Sequence, residues 1–176
     1  AGDSEASSFA REQSLRFPLS YFLQNELGNV DLQQLANDDS RIIRMAAEYM
    51  RLGMYESALT VLSGNYPSPS DGQSEPGAPS AMSDPMLAYY RAYCREQMGQ
   101  SATADYAAAA KLSTTYIFPS SAEDVVVLRA ALHTQPKDAN AHYLLGTFYF
   151  SKGMTDQALG EWKTAQELTP NLSVLD

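Results

Sequence analysis

Cysteine, histidine and basic side chains are all scarce in this sequence of 176 residues. Cys94 is the only cysteine, which excludes a disulfide scaffold and a multi-cysteine zinc site. Its helical surroundings favour a small core residue over a reactive thiol. The two histidines, His133 and His142, lie nine positions apart and lack the local spacing of a metal-binding pair. We therefore predict that the chain binds neither a metal nor a cofactor.

Positive charge is also low, since 12 lysines and arginines face 21 acidic residues and the net charge is -9. The acidic residues are spread along the chain, which argues against nucleic-acid binding, because that needs clustered Lys and Arg. No apolar run reaches the roughly 20 residues that span a bilayer, so we predict no membrane partner. No signal peptide is visible, which favours a cytoplasmic location. Because the sequence begins with Ala1, we expect a piece of a longer polypeptide.

Small and aromatic side chains recur at helical intervals in the stretch "AHYLLGTFYFSKGMTDQALGEWKTAQELTPN". Apolar residues three and four positions apart place one stripe on each of two helices. Gly153 can close the first helix in the left-handed conformation. Gly146 and Ala158 are small enough for a close approach of the two helices, and Trp162 would fill the space beside them. The stretch therefore predicts two antiparallel helices that pack tightly together.

This pattern resembles the tetratricopeptide repeat, in which Leu-Gly, Tyr, Ala, an aromatic residue and Pro recur at fixed spacing. The matching positions are Leu145, Gly146, Tyr149, Ala158, Trp162, Ala165 and Pro170. His142 departs from the family pattern, which has a large aromatic residue there. The resemblance implies an all-α fold, a solenoid of antiparallel helical hairpins in a right-handed superhelix, with about eight or nine helices in this chain.

A lone hairpin cannot bury its apolar face, so neighbouring hairpins are expected. Two further segments show parts of the same pattern. Repeat 1 (39–63) has Ala46, Tyr49, Gly53 and Ala58 at the offsets seen in repeat 3 (138–170). Repeat 2 (85–112) has Ala92, Gly99 and Ala104, with Arg95 at the tyrosine position. We interpret all these positions as structural.

The spacing between repeats is irregular, since the hairpin glycines are 46 and 54 residues apart, whereas the usual period is about 34. The segment 64–84 is rich in Pro, Gly, Ser and Asp, and we interpret it as a flexible loop within the array.

A further helix is predicted over 120–135. Ser120 and Glu123 have the spacing of a capping box, in which each side chain bonds the backbone N–H of the other residue. The predicted inward face consists of Val126, Leu128, Ala131 and Leu132. Two pairings stay open. This helix is either the partner of a helix over 102–115, or an additional helix beside a pair formed by 86–98 and 102–112.

We predict a frayed segment over 1–14 and a single helical domain over 15–176, which begins with an amphipathic helix ending near Gly28. No polar capping helix follows residue 170. A terminal repeat normally needs one, so we expect a fragment, or an end covered by a partner or by a second copy.

Several stretches go beyond the repeat pattern and resemble the C-terminal helical region of a large uncharacterised bacterial family. They are "RFPLSYFLQNELG", "YIFPS" and "KDANAHYLLG", and the resemblance covers roughly 15–170. It implies an N-terminal β-rich domain, suspected of a link to carbohydrates, in the parent protein. The alternative function is therefore that of a supporting helical region in a larger carbohydrate-active bacterial enzyme.

Catalytic motifs are not visible in the sequence. It has no Gly-rich phosphate loop and no G-x-S-x-G elbow. Glu123 and Asp124 are adjacent carboxylates, but the first turn of a helix favours a capping role for them. We predict no catalytic residues and a non-enzymatic protein-interaction or domain-docking module.

The predicted binding surface is the concave side lined by the first helix of each repeat. Aligning these helices on their glycines gives an apolar and aromatic trough of Ile43, Ala47, Met50, Tyr89, Tyr93, Tyr143, Thr147 and Phe150. Such a trough suits a hydrophobic peptide or helix, or another domain of the parent chain. Alternatively, a neighbouring helix of the same molecule already fills it.

Overall fold

The computed structural model describes residues 39–64 and 84–169, and within them it contains seven α-helices and no strand. The helices are α1 (Asp39–Arg51), α2 (Tyr55–Leu62), α3 (Pro85–Gln97), α4 (Thr103–Ala109), α5 (Ala122–Thr134), α6 (Ala139–Ser151) and α7 (Thr155–Leu168). The all-α prediction is confirmed. The seven described helices are fewer than the eight or nine predicted for the whole chain. The helix predicted within 15–38 lies outside the described residues, and so do the segment 1–14, nearly all of the loop 64–84, and Pro170.

Three hairpins, α1–α2, α3–α4 and α6–α7, are each formed by neighbouring helices that pack together. The glycine after the first helix of each pair is left-handed, with φ of 72° at Gly53, 72° at Gly99 and 73° at Gly153. In each case the glycine N–H donates to the carbonyl three residues back, and the next N–H donates to the carbonyl five residues back. This is the Schellman arrangement, for which glycine is suited because it lacks a Cβ. The predicted role of the three glycines is confirmed.

The repeat positions mostly lie in the core. The buried ones are Ala46, Tyr49, Ala58, Ala92, Leu145, Gly146, Tyr149, Ala158 and Ala165. Cys94 is also fully buried, and desolvation raises the pKa of its thiol to about 12. The thiol therefore stays protonated and packs as a small apolar group, as the sequence predicts.

One repeat position, Ala104, is exposed and does not form the predicted contact. The helices α2 and α7 begin two residues after their glycine and bury Ala58 and Ala158, five residues after it. By contrast, α4 begins four residues after Gly99. The longer connection shifts the register of α4 by two residues, so Tyr106 is buried where the pattern predicts Ala104.

The open question about pairing is answered by the position of α5. Since α3 packs against α4, while α5 contacts both α3 and α6, the predicted pair of 86–98 with 102–112 is the observed one. The helix α5 is thus an additional element between the second and third hairpins.

The start of α5 differs from the prediction by one residue. Its capping box is formed by Ser121 and Asp124, whereas the sequence suggested Ser120 and Glu123. Of the predicted inward face, Leu128 and Ala131 are fully buried and Leu132 packs against the core, whereas Val126 is 50% exposed and Val127 is fully buried.

Two adjacent tyrosines of α3 hold the starts of the two helices that follow α4. The Tyr90 hydroxyl donates to Asp124 Oδ1 at 2.7 Å, and Asp124 Oδ2 accepts the backbone N–H groups of Ser120 and Ser121, each at 2.8 Å. The Tyr89 hydroxyl donates to Oδ2 of Asp138, the N-cap of α6, at 2.8 Å. Each carboxylate therefore serves as a helix cap and as the partner of a buried tyrosine, which fixes α5 and α6 relative to α3.

The helices α6 and α7 approach closely at Gly146. A Cβ at this position would lie 2.5 Å from Cδ1 of Trp162, so only glycine fits without movement of the indole. Trp162 is held in place because its Nε1–H donates to the Tyr143 carbonyl at 3.2 Å. None of the helices in the described ranges is long and apolar enough to cross a membrane.

The first prediction compares two helical glycines of this hairpin. Gly146→Ala should lower the free energy of unfolding by about 1–3 kcal/mol, because the new methyl displaces the indole. Gly160→Ala should raise it by about 0.5–1 kcal/mol, because its Cβ meets nothing within 4 Å and alanine favours the helix. Urea unfolding followed by circular dichroism measures both, and equal effects at the two sites would contradict the packing described here.

The second prediction concerns alkaline pH. Burial is the largest cause that raises the pKa of Tyr89, Tyr90 and Tyr106 above the usual value of about 10. Above that pH the unfolded chain releases protons that the folded protein retains, so stability falls as the pH rises. In a spectrophotometric titration, the tyrosines that ionise above pH 10 should do so at the same pH at which the protein loses its helicity. Ionisation of every tyrosine near pH 10 in a fully helical protein would show that these hydroxyls are accessible.

Candidate functional site

A groove of about 850 Å³ lies between α1, the N-terminal ends of α3 and α5, and the segment 116–121 that leads into α5. Ile43 contributes apolar surface from α1, and Ala47 borders the groove although it is only 4% exposed. Arg41, Arg44 and Arg51 lie on the same side of the groove, because their spacings of three and seven residues place them along one helix face. The groove thus combines an apolar surface with a row of guanidinium groups.

The segment 116–121 presents two aromatic side chains to solvent beside this groove. Tyr116 and Phe118 are each 72% exposed, whereas Ile117 is half-buried against the core and Pro119 is buried. Ile117 and Pro119 therefore anchor one side of the segment to the core, and Tyr116 and Phe118 are exposed on its other side. Tyr116 has a φ of 61°, a left-handed conformation that costs a non-glycine residue about 1–2 kcal/mol. Such strain in an ordered segment is typical of functional sites.

An ion pair spans the groove. Arg51 Nε donates to Glu123 Oε1 of α5 at 2.8 Å, and Arg51 Nη1 donates to Glu48 Oε1 at 2.5 Å. The hydrogen bond from Arg51 is the largest cause that lowers the pKa of Glu123, so this carboxylate is ionised at neutral pH. Because the Arg51 side chain is 52% exposed, the pair is accessible to solvent and to competing charges.

The other two acids of the groove serve as caps. Asp84 is 5% exposed and accepts the backbone N–H of Met86 at 2.7 Å, at the start of α3. Burial is the largest cause that raises its pKa, and the backbone hydrogen bonds oppose it. Asp124 is also 5% exposed and accepts the bonds described above. These carboxylates are directed at protein donors, so the arrangement suits recognition of a ligand by charge and apolar contact.

Only two of the eight predicted trough residues, Ile43 and Ala47, line the groove. Met50 is buried. Tyr89 is fully buried in its bond to Asp138, and Tyr93 is half-buried with its ring edge-on to Tyr55, 6.2 Å between centroids. The second repeat therefore directs its predicted trough residues into the core.

The three predicted residues of repeat 3 lie elsewhere. Tyr143 and Thr147 are half-buried, with the Thr147 hydroxyl bonded to the Tyr143 carbonyl at 3.0 Å. Phe150 is 59% exposed and contacts Trp162, with 5.4 Å between ring centroids. The predicted continuous trough does not describe the observed groove, because α5 lies between α3 and α6 and forms the opposite wall itself.

Sequence reasoning missed Tyr116, Phe118, Arg44 and the role of Glu123 in the groove. The two aromatic residues belong to "YIFPS", which the sequence analysis uses only as part of the resemblance to a bacterial family. A usable signal was present, since two aromatic residues alternate with Ile117 and Pro119 in a segment outside the predicted helices.

Neither models of known protein families nor curated proteins match this chain. Among the described residues, no three His, Cys, Asp or Glu side chains are grouped in a way that could hold a metal ion.

The third prediction tests whether the exposed aromatics are dispensable for folding. Phe118→Ser should change the free energy of unfolding by less than about 0.5 kcal/mol, as exposed positions do. Tyr116→Gly should stabilise the protein by up to about 1 kcal/mol, because glycine tolerates the left-handed conformation. Ile117→Ser is the control and should cost at least about 1 kcal/mol, because Ile117 packs against the core. A loss at Phe118 as large as at Ile117 would place Phe118 in the core of the folded protein.

Proposed function

We propose that this chain is a non-enzymatic protein-interaction or domain-docking module, built as a tetratricopeptide-like solenoid. The observation that supports it is the groove beside α1, flanked by Tyr116 and Phe118, each 72% exposed on an anchored segment. The resemblance in repeat 3 and the shared Schellman turns of the three hairpins support the repeat architecture. The partner is a protein or peptide, including another domain of the parent chain.

Exposed aromatics favour this function for an energetic reason. Each such ring presents a large apolar area to water, and its burial by a partner releases about 25 cal/mol per Å². Aromatic and arginine side chains are also the groups that most often dominate binding free energy at protein interfaces. Ile117 and Pro119 hold the backbone of this segment against the core, so little of this backbone has to be ordered when a partner binds.

The alternative proposal is a supporting helical region of a larger carbohydrate-active bacterial enzyme. One observation favours it: the two exposed aromatics lie in "YIFPS", which carries the resemblance to the bacterial family with an additional β-rich domain. Under this proposal the groove docks that domain of the same polypeptide.

The fourth prediction is a site-specific crosslink. The photoreactive residue p-benzoylphenylalanine in place of Phe118, in the full-length protein within the cells that make it, should capture a polypeptide on irradiation. The same residue in place of Leu159, which is 57% exposed on α7 and does not line the groove, should not. Capture of another chain supports the interaction module, and an internal crosslink to a preceding domain supports the docking alternative.

No crosslink at position 118, or equal crosslinking at the two positions, would remove the basis of both proposals.

A further inference from the structure

We infer that the segment 15–28 docks as a helix on α1, on the side away from the groove, where Gln24 bonds the buried hydroxyl of Tyr49. The segment lies outside the described residues, whereas the hydroxyl belongs to a described helix. The inference goes beyond the proposed function, because it concerns the other side of α1. It follows from one unpartnered polar atom and from the equivalence of two hairpins.

The hydroxyl of Tyr49 is buried without a hydrogen bond. Tyr49 is fully buried in α1, and its oxygen has no hydrogen-bond partner in the part of the chain that the structure describes. An unpaired hydroxyl is costly to bury, and buried side-chain oxygens in native proteins nearly always have a partner. The partner of this oxygen is therefore expected outside the described ranges.

Repeat 3 shows where such a partner comes from. Tyr149 has the same place in α6 as Tyr49 has in α1, since each lies four residues before the left-handed glycine of its hairpin. The Tyr149 hydroxyl accepts a hydrogen bond of 2.7 Å from Nη2 of Arg129. Arg129 belongs to α5, the helix that precedes α6 and packs against it. By equivalence, the donor to Tyr49 belongs to a helix that precedes α1.

The segment 15–28 has the apolar spacing of α5. Four residues of α5 are buried or pack against the core, at steps of three, one and four, and they are Asp124, Val127, Leu128 and Leu132. Four apolar residues before α1 have the same steps, and they are Leu19, Phe22, Leu23 and Leu27. This alignment places Gln24 at the position of Arg129. The side-chain amide of glutamine donates N–H groups, as the guanidinium does.

One position of the alignment differs in chemistry. Glu26 takes the place of Ala131, which is fully buried in α5. A carboxylate is too costly to bury unpaired, so the Glu26 side chain must extend to the edge of the interface. The segment therefore packs less closely on α1 at this turn than α5 packs on α6.

The chain is long enough for this arrangement. Residues 135–138 suffice to connect α5 to α6, whereas residues 29–38 are available between Gly28 and α1. Ten residues span up to about 33–36 Å, and a helix as long as α1 measures only about 20 Å. Pro18 near the start and Gly28 at the end are also typical of helix boundaries.

Docking at Tyr49 leaves the groove open. Successive residues of a helix point about 100° apart, so Tyr49 points about 140° away from Arg44, which lines the groove. The segment 15–28 and a partner in the groove therefore contact different sides of α1 and do not compete.

The experiment is a double-mutant cycle in the full chain, measured by urea unfolding. Tyr49→Phe should lower the urea midpoint by about 0.5 M, because a hydrogen bond is lost, and Tyr149→Phe is the control of known partner. Gln24→Ala should lower the midpoint in the wild type but not in Tyr49→Phe. Asn25→Ala, the neighbouring control, should act equally in both backgrounds.

Two results of this cycle would overturn the inference. A midpoint raised by Tyr49→Phe would show that the hydroxyl is unpaired in the full chain. Additive effects of Gln24→Ala and Tyr49→Phe would show that the hydroxyl bonds water or another group.

Hydrogen exchange with mass spectrometry measures the docking itself. Peptides that cover 19–27 should exchange as slowly as those that cover α5. Leu23→Asp should remove this protection, whereas Asn25→Asp adds the same charge on the opposite face and should leave it unchanged. Fast exchange over 19–27 in the wild type, or equal effects of the two substitutions, would refute the docking. The crosslink at position 118 is measured independently, so the proposed function would stand in either case.

Discussion

The architecture depends on two buried hydrogen bonds from α3, in which adjacent tyrosines meet the cap carboxylates of later helices. Tyr90 bonds Asp124 at 2.7 Å and Tyr89 bonds Asp138 at 2.8 Å. Adjacent residues on a helix point about 100° apart, so one short stretch of α3 reaches two different helix starts. In an apolar interior such bonds are worth more than at the surface, and each carboxylate would be costly to bury without its partners. The central hairpin therefore determines where α5 and α6 begin.

The groove is a consequence of this constraint. Because Asp124 also accepts the N–H groups of Ser120 and Ser121, the bond from Tyr90 fixes the end of the segment that carries the exposed aromatics. Glu123 is the neighbour of Asp124 in the first turn of α5, and its bond to Arg51 connects that turn to α1. Core packing and the candidate binding surface thus share two consecutive acidic residues, one directed inward and one toward the groove.

The sequence predicts the helices and their turns well, because these depend on local chemistry. Glycine at Gly53, Gly99 and Gly153 signals a left-handed C-terminal cap wherever it occurs. The binding surface depends on which helices become neighbours, and local periodicity does not contain that information. The sequence predicts a helix over 120–135, but it leaves two pairings open and does not show that this helix lies between α3 and α6. Nothing around Ala104 shows that the turn before α4 is two residues longer. The sequence pattern also does not show that the hydroxyls of Tyr89 and Tyr90 bond the cap carboxylates of Asp138 and Asp124.

The fully buried state of Cys94 has a practical consequence for the study of this molecule. Its thiol, with a pKa of about 12 and no exposed surface, will not react with maleimides at neutral pH while the protein is folded. Cysteines introduced at the surface would then be the sole labelling sites, without replacement of the native one. A fluorophore pair on opposite walls of the groove could report its width directly, in a protein whose core is unaltered.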